Sequence, residues 1–173
     1  LGQTISDNAA DAGANIGGDT IANIDNVFGS NQDDVIDGNA DANELVGRDG
    51  DDTLDGKGGT DILRGGIGND TLTGGAGADT LEGDDGQDVF ILGDSDGAVD
   101  TITGGSNDDL IDFTGAGNSL TINLAGGTAG NVDEGINVIS GIEDAIGGSN
   151  DDIFFGSTAD NELTGGAGND DFT

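Results

Sequence analysis

The chain contains no Cys, Met, His, Trp, Tyr or Pro, and Lys and Arg together number only 3. Without Cys or His there is no disulfide, thiolate or imidazole, which removes the usual zinc ligands and the usual partners of a nucleophilic serine. Lys57 is the only Lys. Catalysis by this segment is therefore not expected. Against those few cations stand 36 Asp and Glu, a formal charge of −33, which repels nucleic acid and anionic membrane surfaces. No apolar run reaches membrane-spanning length, so membrane insertion by this segment is not expected. No leader-like segment precedes the pattern that follows, and the sequence reads as a piece of a longer polypeptide.

Glycine is present in excess, 36 of 173 residues, roughly a fifth and about three times ordinary usage. That composition excludes a helical bundle. Low hydrophobicity combined with one sign of charge signals disorder unless something neutralises the carboxylates, and a bound cation would do so.

From Gly29 in steps of nine the chain reads GSNQDDVID, GNADANELV, GRDGDDTLD, GKGGTDILR, GGIGNDTLT, GGAGADTLE and GDDGQDVFI. Position one is always Gly. Position eight is always large and apolar: Ile36, Leu45, Leu54, Leu63, Leu72, Leu81 and Phe90. Position six is Asp34, Asp52, Asp61, Asp70, Asp79 or Asp88, with Asn43 as the exception. The phase slips by three residues at 92–94 and resumes over 95–112, with Asp100 and Asp109 at position six. It is lost over 113–146, where Leu120, Ile122 and Leu124 alternate with Thr121 and Asn123 as in a half-buried strand. It returns over 147–173 as GGSNDDIFF, GSTADNELT and GGAGNDDFT. Residues 17–54 also recur without a gap as 135–172, so the segment reads as a little more than one unit of a longer array.

Each nonapeptide divides into six turn residues and a short strand whose middle side chain points inward. Two such units make one coil, and stacked coils place strand n beside strand n+2 in parallel, with the apolar column between two small sheets. The core is one residue wide, and the turns stack carboxylate on carboxylate at a cost on the order of 1 kcal/mol per pair at ~5 Å in water. A hard divalent cation between turns reverses that sign. Calcium suits a turn rich in carboxylates and carbonyls, whereas magnesium prefers to keep several waters. An EF-hand is excluded: Asp37, Asn39 and Asp41 have its opening spacing, but Ala42 and Arg48 replace its required Gly and Glu.

The lines GGIGNDTLT and GGAGADTLE resemble the GGxGxDxUx repeat of the RTX (hemolysin-type calcium-binding) family. The likeness covers 29–112 and 147–173. It implies an all-β, right-handed parallel β-roll, a β-solenoid with several calcium ions (Ca2+) between its turns. By the family's pattern one site takes Arg48, Gly50 and Asp52 with Gly65, Ile67 and Asp70. A second takes Lys57, Gly59 and Asp61 with Gly74, Ala76 and Asp79, and a third Gly66, Gly68 and Asp70 with Gly83, Asp85 and Asp88. An end site would use Ser30, Gln32 and Asp34 with Gly47, Asp49 and Asp52, without glycine at positions two and four of its first turn. In the second block Gly148, Asn150 and Asp152 would meet Gly165, Ala167 and Asp170. Asn43 and Asn161 should bind weakly or close their turns by side-chain hydrogen bonds. The slip at 92–94 should distort sites pairing Asp79 with Asp100 or Asp88 with Asp109.

The expected organisation is an N-terminal β segment (1–28) capping the first roll as the end of a preceding unit, a first block (29–112), a β cap and connector (113–146) and a truncated second block (147–173). The resemblance further implies type I secretion and a structural module of a secreted or surface protein, a repeat-rich bacterial adhesin, with calcium and neighbouring repeat units as its partners. The alternative is the calcium-binding tail of a secreted protease, lipase or alginate epimerase. Ice binding would need a regular outward array, which position five (Asp33, Ala42, Asp51, Thr60, Asn69, Ala78, Gln87) does not supply.

Overall fold

The computed structural model describes residues 4–6, 25–92, 97–131 and 135–173, none of them helical. In chain order the strands are β1 (Thr4–Ser6), β2 (Asn26–Phe28), β3 (Val35–Asp37), β4 (Glu44–Asp49), β5 (Thr53–Asp55), β6 (Ile62–Ile67), β7 (Thr71–Thr73), β8 (Thr80–Asp85) and β9 (Val89–Ile91). They continue as β10 (Thr101–Ser106), β11 (Leu110–Asp112), β12 (Thr121–Asn123), β13 (Thr128–Asn131), β14 (Gly135–Ser140), β15 (Asp144–Ile146), β16 (Ile153–Phe155), β17 (Leu163–Thr164) and β18 (Asp171–Phe172).

From β2 to β11 successive strands alternate between two facing sheets, because each nonapeptide turn carries the chain across to the other side. One sheet has eleven strands in the order β1-β2-β4-β6-β8-β10-β14-β13-β12-β16-β18, and the other has seven, β17-β15-β11-β9-β7-β5-β3. Strand n pairs in parallel with strand n+2: Leu45 lies beside Leu63 and Leu63 beside Leu81, while Leu54 lies beside Leu72 and Leu72 beside Phe90. These residues are fully buried and form the core of a β-solenoid. The three-residue strands bury only their middle side chain, as a period of two requires. Strands β4, β6, β8 and β10 run six residues, so on that edge the pairing extends into the turn, joining Arg48 to Gly66, Gly66 to Asp84 and Asp84 to Gly105.

The three-residue slip does not break the stack. Across it Leu81 pairs with Ile102 and Phe90 with Ile111, so the extra residues leave the core column intact.

Residues 113–146 enter the same two sheets by a different pairing. β14 is parallel to β10, β13 runs antiparallel to both β14 and β12, and β12 is parallel to β16. In the other sheet β15 sits between β11 and β17 with nothing interposed. Asp144–Ile146, read from the sequence as part of the connector, is thus a strand of the roll. Leu120 and Ile122 point inward and Leu124 packs against the same core, as their alternation requires. Of segment 1–28, β1 pairs in parallel with β2; residues 1–3 and 7–24, to which most of the N-terminal cap was assigned, lie outside the described residues.

Candidate metal sites

Each position-six carboxylate lies at the inner corner of its turn, where the chain bends from the loop into the next strand. From Asp52 to Asp109 its Oδ1 accepts the backbone N–H of the position-six residue one coil earlier, whereas Asp152 Oδ1 accepts from Leu120 N–H at 2.8 Å. In one column Asp34, Asp52, Asp70 and Asp88 donate to Asp52, Asp70, Asp88 and Asp109 at 2.7, 2.7, 2.8 and 2.8 Å. In the other, Asn43, Asp61 and Asp79 donate to Asp61, Asp79 and Asp100 at 2.7, 2.8 and 2.9 Å. At the pairs 79/100 and 88/109, where the slip is expected to distort a site, the corner bonds themselves keep ordinary length, while the turn ending at Asp100 has its positive φ at Gly97, position three, and none at position four. The columns end on Asn137, whose Oδ1 accepts from Asp100 at 2.9 Å, and on Glu143, whose Oε2 accepts from Asp109 at 3.1 Å.

The second oxygen has a different environment. Oδ2 of Asp52, Asp61, Asp70, Asp88 and Asp109 is buried without a hydrogen-bond partner. Burial pushes Asp52 and Asp109 up to about 7, and Asp61 and Asp70 up to about 6; Asp88 also moves upward. The backbone N–H on Oδ1 opposes the shift in each case, and neighbouring carboxylates add to it. An orphaned oxygen in a low-dielectric corner surrounded by negative charge fits a hard cation.

Main-chain oxygens supply the rest of the donor set. In turns 47–52, 56–61, 65–70, 74–79, 83–88, 104–109 and 165–170, the φ angles at positions two and four are both positive. They are 95° and 125° at Arg48 and Gly50, 72° and 126° at Lys57 and Gly59, and 123° and 138° at Gly66 and Gly68. The carbonyls of Arg48 and Gly50 consequently lie against Gly66 and Gly68 of the coil above, and those of Lys57 and Gly59 against Gly75 and Gly77. A methyl group at any of these four glycines would overlap the oxygen. Among the described residues no three acidic side chains converge on one metal position.

The structure brings together the residues of the first three expected sites. Gly50 N–H donates to Ile67 O at 2.8 Å, Gly59 N–H to Ala76 O at 2.8 Å and Gly68 N–H to Asp85 O at 2.8 Å. These carbonyls keep a second lone pair. The oxygens of Gly65 and Gly74 lie against Gly47 and Gly56, and that of Gly104 against Gly83.

Both end sites differ. Asp34 Oδ2 accepts Ser30 N–H at 2.6 Å and Asp152 Oδ2 accepts Gly148 N–H at 2.8 Å, so each turn closes on itself. Asn43 and Asn161 do the same with Asn39 and Ser157, at 2.8 and 2.7 Å. None of these four turns has a positive φ at position two or four. Around 147–152, Asn150 Nδ2 donates to Gly117 O at 2.6 Å, so this turn faces the non-repeat segment, while Gly148 O accepts from Ala167 N–H at 3.1 Å and Asp152 N–H donates to Asp170 Oδ1 at 2.9 Å. The sequence reading left Asn137 and Glu143 outside the corner columns, because neither stands at position six of a nonapeptide.

The chain matches the family described as RTX calcium-binding nonapeptide repeat (4 copies) over residues 19–54, 55–90 and 146–173, more than half its length. No curated protein matches it significantly.

Proposed function

Because this chain belongs to the RTX calcium-binding nonapeptide repeat family, we propose that it is a structural section of a large secreted or surface protein, folded by calcium outside the cell. Calcium is its cofactor, several ions being expected across the repeats, and the roll is a structural module rather than a catalytic one. The orphaned Oδ2 atoms along both edges carry this reading, since each is a charge that the fold buries and does not itself neutralise. With −33 charges on a core one residue wide, the chain stays open at low cytosolic calcium and closes on reaching an extracellular concentration. That order of events suits export by type I secretion.

The recurrence of 17–54 as 135–172 favours a tandem array, as in an adhesin, over the single block that a secreted enzyme's tail needs. Residues 113–146 then join one block to the next, with β14 and β15 covering β10 and β11. Circular dichroism should change from coil to β as calcium is added, with half-saturation at about 10⁻⁴ to 10⁻³ M. Full β structure in excess chelator would reject the reading. Sequencing the intact polypeptide separates its two forms: further copies of the unit support the array, and a catalytic domain upstream supports the tail.

A further inference from the structure

Gly104–Asp109 and Gly147–Asp152 are the same hexapeptide, GGSNDD, in two different conformations. In the first, Gly105 and Asn107 have φ of 133° and 76°, and Asp109 Oδ2 is buried without a donor. In the second neither φ is positive, and Gly148 N–H takes up Asp152 Oδ2 at 2.8 Å. The difference comes from what each turn stacks on. Gly105 pairs with Asp84 of a turn already in the positive-φ form, whereas Ser149 and Asn150 donate to the carbonyls of Ala116 and Gly117.

The positive-φ form carries two costs. Arg48, Lys57, Asp84 and Asn107 hold φ of 95°, 72°, 75° and 76°, a region that side chains with a Cβ disfavour. Their turns also give up the N–H that Ser30 and Gly148 supply to a carboxylate at the same position. A strained backbone beside a buried, unpartnered carboxylate oxygen is sustained by a ligand that the closed form does not need.

Resting on the calcium reading above, we propose that calcium lies only where one positive-φ turn stacks on another. Those interfaces are 47–52 with 65–70, 56–61 with 74–79, 65–70 with 83–88, and 83–88 with 104–109. The closed turns 29–34, 38–43, 147–152 and 156–161 take none. Position four goes with the choice: it is Gln32, Asp41, Asn150 and Ala159 in the closed turns, and glycine in the others, Asn107 excepted. Each block thus begins with two turns in which a backbone N–H does the metal's work.

Calorimetric calcium titration of the whole chain, unmodified and as Asp109→Asn and Asp152→Asn, tests this. Asp109→Asn should bind one ion fewer per chain, and Asp152→Asn the same number as the unmodified protein. Loss of an ion from both variants, or from neither, overturns the assignment. Should Asp109→Asn not fold, calcium-loaded crystals of the unmodified chain decide: anomalous density between turns 83–88 and 104–109 supports it, and density at Asp152 Oδ2 or its absence beside Asp109 overturns it. Failure to bind calcium at all would reject the function proposed above as well, whereas ions in closed and open turns alike would reject only this inference.

Discussion

At the scale of single residues, the position-six aspartates do two jobs with two oxygens, and the second sets the chain's response to protons and calcium. The folded chain raises Asp52 and Asp109 from the ordinary 3.8 to about 7, so it favours their protonated form when no metal is bound. The stability this gives is full below about pH 4 and is lost as pH rises through 6 to 7. In chelator, circular dichroism should therefore show more β structure at about pH 5 than at about pH 8. With calcium the sign reverses, and the calcium midpoint should rise as pH falls through the same window. Asp70 belongs to two interfaces between positive-φ turns, while Asp34 Oδ2 is already held by Ser30. Asp70→Ala should raise the calcium midpoint by about tenfold, equivalent to ~1.4 kcal/mol, and Asp34→Ala should leave it nearly unchanged. Equal shifts would contradict the assignment of ligands to coils n and n+2.

At the scale of elements, each short strand is held by one inward side chain and by its two neighbours in the sheet. Leu72, fully buried between Leu54 and Phe90, has no second core residue in β7 to compensate for its loss. Leu72→Ala should cost about 2–5 kcal/mol in calcium-loaded denaturant unfolding, against under ~0.5 kcal/mol for Thr71→Ala in the same strand. The strands of 113–146 matter through the edges they cover. Deleting 114–146 removes β14 and β15 from β10 and β11, exposing unpaired N–H and C=O groups. The shortened chain should aggregate, visible by light scattering, while calcium binding by turns 47–88 persists; a soluble monomer would show that the segment does not protect those edges.

On the scale of the whole molecule, the balance is between a thin core and a large excess of negative charge. The Glu44–Arg64–Glu82 ladder, with distances of 2.9 and 2.7 Å, is a local exception on the outer face, where a half-exposed pair contributes little. Three cations in the sequence cannot balance 36 acids, so the counter-charge has to come from solution. Magnesium keeps its waters and suits an irregular set of carbonyls poorly. At equal millimolar concentration it should leave the chain largely coil by circular dichroism where calcium folds it.

The nine-residue period by itself determined the architecture. Glycine at position one, an acid at position six and an apolar residue at position eight leave one way to bury Leu45, Leu54, Leu63 and Leu72 together, with coils stacked two repeats apart. The alternation at Leu120 and Ile122 likewise marked a half-buried strand. Its antiparallel pairing with β13 was not legible, because alternation specifies a face and not a partner. The slip at 92–94 looked disruptive in sequence, yet the backbone pairing of β8 with β10 and of β9 with β11 fixes the register across it. Glycine at position four accompanies the open form, but with Asn there the sequence does not decide the form of the turn, as the two GGSNDD copies demonstrate. A turn with no core of its own takes the conformation whose hydrogen bonds its neighbour completes, and only the stacked coils supply that neighbour.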